Sequence, residues 1–177
     1  MYLYHYYDKR TGPCKRITLL PDEESKALLD QIRLERPDSM CAKRDDSYVD
    51  KRKKCEAKLK EAFLAKGGLI EIDSPYYFVV EHSPWLYSWY EQPDFIKIPA
   101  SEIDLRYVSF TYGDSMPTFA VQDGKEYRGQ VYTYDEILKI IDKYGLPQNW
   151  NDDGAHGPER YIEVHIWKKD LMEKVNE

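Results

Sequence analysis

The chain has few cysteines and no long apolar run, and each shortage excludes a class. Cys14, Cys41 and Cys55 are an odd number without CxxC spacing, which argues against a disulfide framework or a zinc knuckle. A reducing, cytoplasmic setting is the simplest expectation. No stretch approaches the ~18 apolar residues of a membrane span, so no membrane partner is expected. The tyrosine-rich segment Met1–Thr11 has no apolar core or small-residue cleavage site, so no secretory signal is expected there. Histidines are also sparse. His5, His82, His156 and His165 form no HxH or HExxH pattern, and a metal site is not expected. GxGxxG and P-loop signatures are absent, which disfavours the common phosphate-cradle nucleotide folds.

What the chain does have is charge and tyrosine. Of 177 residues, 33% are charged, with a net charge of -6. Acidity of this kind disfavours a dedicated nucleic-acid binder. Sixteen tyrosines stand against five phenylalanines. Their apolar bodies and polar tips suit interfaces, clefts and wet stacking sites. Length and the lack of repeats or linkers point to a single domain over residues 1–177.

Local patterns predict an order β–α–α–β–β–β–α–β. Tyr2–Tyr7 reads as a strand with Leu3, His5 and Tyr7 on one face. Pro21 followed by Asp22, Glu23 and Glu24 starts a helix whose stripe is Leu28, Leu29 and Ile32, stopped by Pro37. A second helix is expected from Tyr48 to Lys66, burying Cys55, Leu59, Ala62 and Phe63. Its segment from Lys51 to Lys60 is strongly basic, a solvated face or a phosphate-binding stripe. Tyr76–Glu81, Phe95–Ile98 and Tyr107–Tyr112 read as short strands. Thr133-Tyr134-Asp135-Glu136 is a capping box opening a helix that ends near Tyr144. Gln148–Pro158 reads as a polar loop, and Leu171 and Val175 suggest a closing helical turn. Strands outnumber helices after residue 68, which favours an α+β fold with a mixed, split or antiparallel sheet.

Arg160–Trp167 alternates strictly, with Ile162, Val164 and Ile166 on one face and Tyr161, Glu163, His165 and Trp167 on the other. A mid-strand carboxylate is uncommon and costly if buried unpaired. Glu163 therefore marks either a solvent-exposed face or the wall of a cleft. In a cleft it could stabilise positive charge developing at a glycosidic carbon. His5, between Tyr4 and Tyr6, is a structural residue or a hydrogen-bond partner for a ribose or amide.

Several segments, in order, resemble those of the ADP-ribosyltransferase superfamily, in its DarT-like branch. They are Leu3-Tyr4-His5-Tyr6, Tyr76-Tyr77-Phe78 followed by Ser83-Pro84-Trp85-Leu86-Tyr87, Phe110-Thr111-Tyr112-Gly113-Asp114-Ser115, and Arg160-Tyr161-Ile162-Glu163-Val164. The resemblance implies NAD in a cleft of the sheet and a macromolecular acceptor, protein or nucleic acid. It implies Glu163 and His5 as the catalytic pair, with His5, Tyr77 and Tyr112 at the cofactor. Two other classes stay open on the residues: a non-catalytic interaction protein using a tyrosine-rich acidic surface, and a nucleic-acid binder using the Lys51–Lys60 stripe.

Overall fold

A computed structural model describes residues 1–169 and 171. Its strands are β1 (Tyr2–Asp8), β2 (Tyr76–Val80), β3 (Pro93–Pro99), β4 (Val108–Tyr112) and β5 (Ile162–Ile166). They form one five-stranded sheet in the order β3-β1-β2-β5-β4, and each ladder is antiparallel. The fold is α+β, and of the expected sheet types the antiparallel one is found. Tyr2–Tyr7 and the Glu163 strand share this sheet, with β2 between them.

Register decides which residues meet. Tyr4 stands opposite Val79, Val79 opposite Glu163, and Glu163 opposite Thr111, so these four occupy one row on one face. The other face carries Leu3, Phe78, Val164 and Phe110, all buried in the main core with Ile137. That core is closed by α5 (Tyr134–Tyr144). Glu136 accepts the Thr133 backbone N–H at 2.8 Å, the reciprocal half of the expected capping box.

The Glu163 face is covered by α2 (Tyr48–Ala65) and the short α4 (Ser115–Ala120). Leu59 and Phe63 of α2 are buried as their spacing predicts, while Lys51, Lys54 and Lys58 are exposed. Each buried large apolar side chain contributes roughly 1.5–3 kcal/mol. Glu163, His165 and Trp167 are all buried, so this side of β5 is an interior face, not a solvated one.

Strand β1 meets β2 in only two ladder pairs, Leu3–Val80 and Tyr4–Val79, whereas it meets β3 along its whole length. Prolines bound β3, which is tolerated because it is an edge strand. Helix α1 (Asp22–Glu35) begins with the three expected acids after Pro21. Short helices α3 (Pro84–Tyr87) and α6 (Pro147–Trp150) interrupt segments that local pattern leaves as loop. Leu171 is buried in the main core; Val175 lies outside the described residues. No helix among the described residues is long and apolar enough to cross a membrane.

Candidate functional site

Glu163 is the centre of a buried polar network. Its Oε1 accepts the Ser115 backbone N–H at 3.2 Å and the Ser115 hydroxyl at 2.5 Å. His165 Nε2 lies 2.9 Å from the same oxygen, and the Arg52 guanidinium 3.7 Å from it. On the far side, His165 Nδ1 meets Ser109 Oγ at 3.1 Å, and Ser109 Oγ accepts the Trp167 indole N–H at 2.9 Å. The donors run in one direction: indole N–H to Ser109, Ser109 O–H to Nδ1, and Nε2–H to Glu163. That chain assigns the His165 tautomer. Among the described residues every partner of Glu163 falls on Oε1, leaving Oε2 without one.

Local sequence explains how these groups converge. Gly113, at φ +106°, turns the chain off the end of β4 in a conformation that suits glycine. Asp114 then caps α4 by accepting the Met116 N–H at 2.8 Å. This places Ser115 over Glu163. Arg52 reaches the pair from α2, donating to Ser115 Oγ at 3.0 Å and lying 3.6 Å from Asp114. Tyr161 donates its hydroxyl to Asp114 at 3.1 Å.

The two acids titrate in opposite directions. Burial pushes Glu163 up, but the Arg52 charge, then His165 and Ser115, outweigh it and hold the carboxyl below its ordinary value. Asp114 is raised, first by burial and then by the neighbouring Glu163 charge. Their environments separate the two titrations, so of the pair Glu163 gives up its proton first as pH rises.

Glu163 lines a cavity of about 580 Å³ whose walls include the stretches of β1 and β2 on either side of the gap between them. Tyr77 lines it too, with Arg52 5.0 Å from its ring centroid and His165 edge-on at 5.6 Å. The Tyr77 hydroxyl donates to Glu56 at 3.0 Å, and Thr18 donates to the same oxygen at 3.1 Å. Burial raises the Glu56 carboxyl, against the pull of those two hydroxyls.

His5 borders the same cavity but belongs to the opposite face of β1, against Phe78. Both its ring nitrogens are engaged. Nδ1 donates to the Tyr77 carbonyl at 2.7 Å, and Nε2 accepts the Cys14 N–H at 2.9 Å. Burial lowers its pKa, with the Tyr77 carbonyl opposing. A neutral His5 thus braces the gap between the parted strands and has no free nitrogen for the ribose or amide expected of it. Tyr112 is not at the cavity. It pairs with Ile162, one step off the Glu163 row, and its hydroxyl donates to the Gly145 carbonyl at 2.8 Å inside the core. The cofactor placement expected for Tyr112 is therefore corrected by strand parity.

The sequence gives no site role to Arg52, Glu56, Asp114 or Ser115, although the last two close the Phe110–Ser115 motif. Arg52 was absorbed into the basic Lys51–Lys60 stripe, yet it lies three residues after Val49 and seven before Leu59, on the buried strip of α2. The tyrosines turn inward toward core and cavity; of the large aromatics, Tyr2 and Phe95 are the ones more than a third exposed among the described residues. They do not supply the broad flat patch that an interaction surface of tyrosines would need. No protein-family model, curated protein or solved structure matches the chain.

Proposed function

We propose that the chain is an NAD-dependent ADP-ribosyltransferase-like enzyme acting on a macromolecular acceptor. The observation that carries this reading is the division of labour on Glu163: Oε1 is held by Ser115, His165 and Arg52, while Oε2 is unpartnered on a residue that lines a cavity of about 580 Å³. That volume falls within the range of cofactor sites. NAD would supply a nicotinamide–ribose bond whose cleavage develops positive charge at the anomeric carbon. A carboxylate fixed in advance stabilises that charge more than it stabilises the ground state. Arg52, His165 and Ser115 keep Glu163 ionised and prevent its reorientation. Tyr77 offers a ring on the cavity wall for a flat aromatic amide, and Glu56 and Thr18 fix the tilt of that ring. His5 contributes by holding the strands at their spacing.

Titration of NAD into the purified protein, followed by nicotinamide release with and without acceptors, tests the reading. Glu163→Gln is nearly isosteric and keeps an acceptor oxygen for Ser115. It should leave NAD binding little changed and lower release by about 10²–10³. Absence of NAD binding at millimolar concentration, or undiminished release by the variant, overturns the proposal.

A further inference from the structure

Arginines in this acidic chain divide into two sets. Arg10, Arg33, Arg52, Arg106 and Arg128 each lie against a carboxylate within ion-pair distance. Arg16, Arg36, Arg44 and Arg160 have no such partner among the described residues, and the first three of these line the cavity that holds Glu163. Arg16 is occupied, lying 4.2 Å over the Tyr76 ring and donating to the Ser74 carbonyl. Arg36 and Arg44 are not. The Arg36 Nε is buried and makes no hydrogen bond. The Arg44 guanidinium is stacked 4.7 Å from the Tyr48 ring centroid and 5.4 Å from that of Trp89, contacts that orient its plane without using its donors.

The acids of the cavity are meanwhile committed. Asp8 is held by Arg10, Glu56 receives Tyr77 and Thr18, and Asp114 and Glu163 share Arg52. Arg36 and Arg44 flank Cys41 in the chain, and all three line the cavity. The segment between them is pinned, because Arg33 donates to the Arg44 carbonyl at 2.7 Å and Ser39 to the Arg36 carbonyl at 2.8 Å. Two forked cations without carboxylate partners among the described residues, on a hydrogen-bonded segment that lines one cavity, offer the donors that phosphate oxygens accept.

We propose that Arg36 and Arg44 form a clamp for the diphosphate of a nucleotide whose pentose end lies toward Glu163. The nucleotide assignment rests on the function proposed above; the clamp for phosphate does not. Arg36, Arg44, Asp114 and Glu163 all line the same cavity, so one ligand lying in it can reach both ends.

Calorimetric titration with ADP, inorganic pyrophosphate and adenosine tests the clamp without any turnover. ADP and pyrophosphate should bind and adenosine should not at the same concentration. Arg36→Gln and Arg44→Gln should each weaken ADP binding by about tenfold or more, and the matching lysine variants should retain part of it. Melting curves check that each variant is folded. Equal affinity for ADP in the double glutamine variant, or adenosine binding as tightly as ADP and pyrophosphate, overturns the clamp. A short single-stranded oligonucleotide separates the phosphate sources. If its binding falls in the variants while the parent protein binds pyrophosphate but ADP no better than adenosine, the nucleotide assignment is overturned. Loss of ADP binding in the variants of a protein that never cleaves NAD keeps the clamp and removes the enzyme reading. NAD cleavage with unchanged KM in the double variant removes the clamp alone.

Discussion

Ser115 closes on one oxygen of Glu163 with both its backbone N–H and its hydroxyl, so the first turn of α4 and the middle of β5 are joined through a single carboxylate. The hydroxyl is the shorter contact and also receives Arg52. Ser115→Ala keeps the N–H and removes the rest. A hydrogen bond to a charged group is worth about 1.5–3 kcal/mol, and a loss of that size is expected in urea unfolding.

Arg52 is buried against two acids, and its removal leaves Glu163 and Asp114 facing each other uncompensated. Arg52→Met fills similar space without charge. The expected destabilisation is about 3–5 kcal/mol by denaturant titration, larger than for any exposed lysine of the same helix.

The pH dependence of stability separates the cavity acids by sign. Glu56 is raised in the fold, so its contribution favours the folded state at low pH and is lost as pH rises from the ordinary carboxylate value through the raised one. Glu163 is depressed, so its contribution is present above the ordinary value and is lost as pH falls toward the depressed one. Glu56→Gln keeps an acceptor for Tyr77 and Thr18 but cannot ionise. Relative to the parent protein it should gain stability as pH rises from 4 to 8, with the two converging in acid. Urea midpoints measured across that range check it; a difference that stays constant with pH would contradict the assignment.

Gly113 is the turn on which the site hangs. Its φ of +106° is unfavourable for a side chain, and an added Cβ would meet Glu159 and Thr118 at 3.4 Å. Gly113→Ala should cost about 1–3 kcal/mol of stability. Because Asp114 and Ser115 follow directly, the proposed function predicts that nicotinamide release falls further than the folded fraction does, as measured at a temperature where the variant is still native.

Much of this scaffold is legible in the residues themselves. Leu59 and Phe63 repeat at helical spacing, Thr133 and Glu136 carry a cap that needs no tertiary context, and β5 alternates visibly. Glu163 stands out because a carboxylate interrupts an otherwise apolar and aromatic strand. The partners of Glu163 are harder to read. Arg52 sits among exposed lysines that mask its inward strip, and Ser115 and Asp114 reach the site only after Gly113 redirects the chain. Faces of different strands are matched by long-range register, which local alternation does not encode. For that reason His5 looks equivalent to a residue of the Glu163 face although it lies on the opposite face of β1, and Tyr112 sits one step off the Glu163 row.

The two-pair seam between β1 and β2 has a mechanical consequence. The β3–β1 ribbon is joined to itself by a full ladder but to the rest of the sheet by a short stitch, while β2, β5 and β4 are laced together along their lengths. Compliance is therefore concentrated in one line, and that line borders the cavity. Parting that line would break few ladder bonds, with the His5–Tyr77 hydrogen bond as a side-chain tie across it, and would leave the ladders on either side of Glu163 in place.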